Sequence, residues 1–119
     1  MIVDDLRSKL FEFQKSNDIL RVGVLRFFLS QVKNKEIEFR SQKRGLTDED
    51  VFKVLKKEIK NRKENIELYE KIGRTDLLEQ EKSELEVYLE FSKLFPFDLE
   101  TPYPMANQRK NGESLDVSK

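Results

Sequence analysis

The 119-residue chain contains no cysteine and no histidine. The first absence excludes a disulfide framework, a thiolate nucleophile and any zinc site built on cysteine. The second removes the commonest general base and the commonest transition-metal ligand together, so neither a metal nor a cofactor is expected and no catalytic group stands out. Long apolar runs are missing as well: nothing approaches the roughly 18 residues that cross a bilayer. Nor does the opening Val3-Asp4-Asp5 read as a basic segment leading into an apolar one. A soluble, cytoplasmic protein with no membrane contact is the expectation.

An excess of either charge is also lacking, because Lys+Arg and Asp+Glu both number 23. Overall charge therefore points to neither nucleic acid nor membrane. Its distribution is uneven. Residues 1–74 carry 18 Lys/Arg against 13 Asp/Glu, a net of +5, whereas residues 75–119 carry 5 against 10, a net of −5. A polyanion-binding face would produce this split, and so would two helices of opposite charge packing together. The second reading is preferred, since charge runs on helices are usually solvated faces or surface pairs.

What is present is helical periodicity at a length that suits one domain and a tail. From Asp18 to Arg40, Leu20, Val24, Phe27, Phe28 and Val32 form one stripe at 100° per residue, and Val22, Leu25 and Leu29 widen it past a half-turn. So greasy a helix must be covered by others and is read as the central rod of a small bundle. Gly23 inside it costs about 1 kcal/mol against alanine, which suggests that a neighbouring helix crosses closely there.

The remaining helices follow from the same spacing. Val3, Leu6, Leu10 and Phe13 make a first helix ending near Ser16-Asn17, and Asn17 or Asp18 then caps the central one. Ser41 to Leu46 reads as an exposed loop. Thr47, with Asp50 three residues on, reads as a capping box that opens a third helix running to about Ile72. Its stripe is Val51, Leu55, Ile59, Ile66 and Tyr69, with Val54 beside it. Gly73 suits a left-handed C′ position, and Thr75 a cap for a fourth helix presenting Leu77, Leu78, Leu85, Tyr88 and Leu89. The expected architecture is all-α, a bundle of four helices with a central apolar helix and a helical hairpin turning at Gly73.

Charges interrupt two of these stripes. Arg62 lies in the middle of the third, with Glu58 one turn earlier, and Glu81 lies in the middle of the fourth. In an antiparallel hairpin about Gly73, facing residues have numbers summing to about twice 73, so Arg62 falls level with Glu84 and within a turn of Glu81. An ion pair from Arg62 to Glu81 or Glu84 is expected, setting the register of the two helices more than adding stability.

Several segments resemble the GatB/YqeY family, named for the YqeY-like proteins and the tail of the B subunit of glutamyl/aspartyl-tRNA amidotransferase. Arg21, Leu25-Arg26, Asn34-Lys35-Glu36-Ile37 and Leu46-Thr47-Asp48-Glu49 look like its successive pieces. Arg62-Lys63-Glu64-Asn65-Ile66 is similar to its Arg-rich helix, and Gly73-Arg74-Thr75-Asp76-Leu77 to its Gly-Arg-x-Asp-Leu turn. Glu81 and Glu84-Leu85-Glu86 are similar to its acidic last helix. The resemblance runs from about Leu6 to Leu89 in order. It implies a helical N-terminal domain followed by a smaller helical one. It also implies a module related to the tail that holds tRNA while other parts of the amidotransferase make the amide, whence the family label of carbon–nitrogen ligase with glutamine as amido-N donor.

The chain departs from the pattern where the family reads Tyr-Leu-Pro. Here it reads Phe91-Ser92-Lys93-Leu94-Phe95-Pro96-Phe97 and continues through Thr101-Pro102-Tyr103-Pro104, whose prolines resist helix. Domain boundaries of 1–95 for the helical domain and 96–119 for a strap and polar tail are expected, with the family's second domain missing. Phe95 to Tyr103 reads as an extended strap over the bundle, and Ala106 to Lys119 as disordered.

Candidate contacts for RNA or another partner are Arg26 and Lys33 on the central helix and Lys53, Lys56, Lys57, Lys60 and Lys63 on the third. Phosphates ask only for positive charge and donors, so these could follow a tRNA backbone without reading its sequence. Two functions of different class follow: a non-catalytic tRNA-associated module serving an amidotransferase or another translation component, or a general helical protein–protein module without RNA.

Overall fold

A computed structural model describes residues 1–99 of the chain, and every regular element in that range is an α-helix. They are α1 (Ile2–Lys15), α2 (Ile19–Ser41), α3 (Asp48–Ile72) and α4 (Thr75–Ser92). α3 and α4 form the most extensive pair, a hairpin, while α2 touches each of the other three helices and α1 packs chiefly on α2.

Each boundary has a local cause. The Asp18 carboxylate accepts from the Arg21 N–H at 3.1 Å and starts α2. At α3, Thr47 Oγ1 accepts from the Asp50 N–H while Asp50 Oδ2 accepts from the Thr47 N–H, a reciprocal box that satisfies two free donors at once. Gly73 ends that helix at φ +72°, the left-handed region a Cβ disfavours. The first turn of α1 is capped from a distance, with the Ile2 N–H donating to Asp48 Oδ1 at 3.2 Å.

The core gathers between α2 and the hairpin. Leu6, Leu25, Phe28, Phe52, Leu55 and Tyr88 are fully buried, and the Tyr88 ring meets Phe28 edge-on at 6.1 Å and Phe91 at 6.4 Å. Past α4 the chain bends back: Phe95 is buried, and the Phe95 and Phe97 rings each lie 5.2 Å from the Phe52 ring. Of the strap expected over Phe95 to Tyr103, the part beyond Leu99 lies outside the described residues, as does the disorder expected for Ala106 to Lys119.

Several expectations are corrected. α2 is central but not covered all round: Val24, Leu25, Phe28 and Val32 are buried, whereas Leu20 is 41% and Phe27 45% exposed. The helix contacts its neighbours over one side, and the wide apolar stripe runs past that contact onto an open edge. Among the described residues no helix crosses at Gly23, since a Cβ built there would meet nothing within 4 Å. Thr75 is the first residue of α4 rather than its cap; Arg74 holds the cap position and makes no side-chain capping bond. The α2–α3 connection is exposed over residues 41–45 as expected, and within it Lys43 takes positive φ, at 56°. On α4 the buried residues are Val87, Tyr88 and Phe91, because this helix faces α2 as well as α3.

Candidate functional site

Charge on this molecule is concentrated at a knot in the α3–α4 hairpin. Arg62 Nε donates to Glu84 Oε1 at 2.9 Å, an Arg62 terminal nitrogen lies 3.3 Å from Glu58, and Glu81 stands 4.0 Å away. Glu81 in turn accepts from the Asn65 amide at 2.8 Å. The guanidinium sits 5.2 Å from the centre of the Tyr88 ring and 5.8 Å from that of Phe27, in cation–π range of both. Three carboxylates converge on one cation, and Glu58 is only 6% exposed. Burial pushes the Tyr88 hydroxyl well above its ordinary range against the opposing pull of the Arg62 guanidinium, and among the described residues its oxygen makes no hydrogen bond of good geometry.

Two further ion pairs escaped the reading of spacing. Arg21 spans α2 and α4, its Nε donating to Glu90 at 2.9 Å while another nitrogen donates to Asp18 at 2.9 Å. The Glu90 and Asp18 carboxylates hold the guanidinium above its ordinary value, and Asp18 is held below the carboxylate range first by the Arg21 N–H. Arg44 reaches Asp50 at 2.9 Å and lays its guanidinium 4.0 Å from the centre of the Phe39 ring. Burial alone would raise the Asp50 carboxyl, but the Thr47 N–H and hydroxyl, with Arg44, outweigh it and hold it low. Arg74 bonds Asp76 at the hairpin turn at 3.3 Å, lowering that carboxyl as well. Helix periodicity locates partners one turn apart or across a known hairpin, but not partners 69 residues apart on helices whose packing is unknown.

The cations singled out as contacts do not form one patch. Lys33 pairs with Glu36 at 3.2 Å beside α1. Lys53 and Lys57 border a cleft of about 410 Å³ with Lys35 and Arg44 of the α2 end, which also holds Glu38, Asp50 and Glu58. Lys56, Lys60 and Lys63 border a different groove of α3 whose apolar part is Ile59, Leu89 and Leu99. Arg26 is exposed. Among the described residues Arg26, Lys57, Lys60 and Lys63 have no carboxylate at ion-pair distance, so their charge faces solvent.

Nothing in this arrangement supplies a nucleophile beside a base. Among the described residues no cluster of three or more acidic side chains is disposed to hold a metal, and no helix is long and apolar enough to cross a membrane.

Comparison with known proteins bears on the whole described region. The family model described as Yqey-like protein matches residues 3–99. An uncharacterized protein of Schizosaccharomyces pombe is 40% identical over 86 residues, 72% of this chain and 68% of that protein. Altered inheritance of mitochondria protein 41, mitochondrial, of Lachancea thermotolerans is 36% identical over 71% of this chain but 44% of its own length. The protein of the same name in Kluyveromyces lactis is 32% identical over 76% of this chain and 48% of itself. The match thus spans under half the length of these last two relatives.

Proposed function

The chain belongs to the YqeY-like family, and from that membership we propose that it is a non-catalytic helical module that holds tRNA for an amidotransferase or a related translation component. The observation that carries this reading is the exposed, carboxylate-free cations of α3, Lys60 and Lys63 on one groove and Lys57 at the neighbouring cleft, in a sequence resembling the tRNA-holding tail of the amidotransferase B subunit. Phosphate recognition needs only such donors on a rigid support. On this reading amide transfer falls to another component, and the purified chain is expected to show no glutaminase activity.

The test is a titration with bulk tRNA at two salt concentrations. Binding should weaken with salt, and changing Lys57, Lys60 and Lys63 together to glutamate should weaken it about ten-fold or more at low salt and flatten the salt dependence. No retention of tRNA at low salt would leave the alternative, a protein–protein module. Both compartments that charge tRNA, the cytosol and the mitochondrial matrix, suit the role. Two relatives carry mitochondrial in their names, and cell fractionation distinguishes the cytoplasmic from the mitochondrial case.

A further inference from the structure

The open edge of α2 borders an apolar trough of about 360 Å³. Its α2 wall is Ile19, Leu20, Gly23 and Phe27, and its opposite wall comes from Arg62, Glu84 and Tyr88 of the hairpin. Leu20, Gly23 and Phe27 recur at i, i+3 and i+7, the spacing of a seam that receives a second helix. Gly23 has only open space where a Cβ would stand, so another backbone can approach closely there.

The trough's electrostatics select the occupant. Glu84 lines the trough with Arg62, while Glu58 and Glu81, outside its lining, share the same guanidinium, which leaves a surplus of two negative charges beside the trough. The nearby Arg21 adds no free cation, being held between Asp18 and Glu90. A second copy of this chain docked by a two-fold axis would bring the same surplus against this one, and a nucleic-acid backbone would be repelled.

We propose that this trough docks an amphipathic helix of a partner protein, with apolar side chains at helical spacing on Leu20, Gly23 and Phe27 and Lys or Arg side chains beside Glu84. The surface is separate from the lysines of α3, so it stands whether or not tRNA is bound.

The test uses the full chain and a labelled synthetic helix of about 18 residues, five turns, with leucines at the a and d positions and lysines flanking them. Two control peptides replace the lysines by glutamate or scramble the leucine order. The leucine–lysine helix should bind saturably, and both controls at least about ten-fold more weakly. Leu20→Ser with Phe27→Ser should weaken binding by a similar factor, and Gly23→Leu should block it by filling the trough. Unchanged melting temperatures and circular dichroism would show these variants folded. Equal binding of the glutamate helix, or indifference to the trough variants, overturns the proposal. So does a homodimer that dissociates in the Phe27→Ser variant, or competition between tRNA and the helix. Markedly tighter binding after Leu115→Ser with Val117→Ser would also overturn it, by assigning the trough to the chain's own C-terminal segment.

Discussion

Arg62 on α3 and Glu84 on α4 stand level across the hairpin, Nε to Oε1 at 2.9 Å, with Glu58 and Glu81 crowding the same guanidinium. Because this one cation is shared by three carboxylates that are largely removed from water, it holds more than its own bond. Removing it leaves an uncompensated cluster, whereas removing one carboxylate leaves two others to serve it. Arg62→Ala should therefore lower unfolding free energy by about 2–4 kcal/mol and Glu84→Gln by about 1 kcal/mol, measured by urea denaturation. Equal losses would contradict the view of the site as a shared cation.

Arg21 and Glu90 make a comparable bond in a wetter place, with side chains 32% and 45% exposed. Solvent screens that pair and side-chain entropy opposes it. Glu90→Gln should cost under about 1 kcal/mol and the cost should shrink in 1 M salt, while the Arg62 effect persists. A chemical-denaturation series at two salt concentrations checks both halves.

Two glycines should respond to alanine with opposite signs. Gly73 holds φ +72°, so Gly73→Ala should destabilise by about 1 kcal/mol or more even though its surroundings are open. Gly23 lies inside α2 with nothing near, so Gly23→Ala should stabilise by up to about 1 kcal/mol through helix propensity. Thermal melts of the two variants against the parent decide.

Asp50, 5% exposed, closes the α3 capping box and takes Arg44. Its folded-state acidity is stronger than the ordinary value of 3.8. A carboxyl held low contributes stability fully present above its unfolded pKa and lost as pH falls through the folded value. Asp50→Asn should cost about 1–2 kcal/mol at pH 7. The gap between parent and variant should hold down to about pH 5 and narrow below about pH 4. A gap that widened on acidification would contradict the assignment.

Phe52 receives the chain after α4 through Phe95 and Phe97. Phe95 is buried and Phe97 partly so. Phe95→Ala should cost about 3 kcal/mol and Phe97→Ala about half as much, read from denaturation midpoints.

Much of the fold was written in local chemistry. The period of Leu6, Leu25, Leu55 and Tyr88, the Thr47–Asp50 box and the left-handed Gly73 each act within a few residues of chain, so four helices and a hairpin were legible from spacing. The level of Arg62 with Glu84 followed too, because a tight turn converts chain distance into height along two antiparallel rods. Candidate cations on α3 could be named in the same way, since charge needs no partner to be recognised.

Only tertiary structure decided which side of α2 stays open, that Gly23 borders a trough instead of a crossing, that Arg21 meets Glu90, and that the α3 lysines divide between two grooves. Periodicity reports that a face is apolar but not how much of it a neighbour will cover. That depends on how the rods rotate and cross, which is fixed by the fit of Phe28, Phe52, Tyr88 and Phe91 in one shared core.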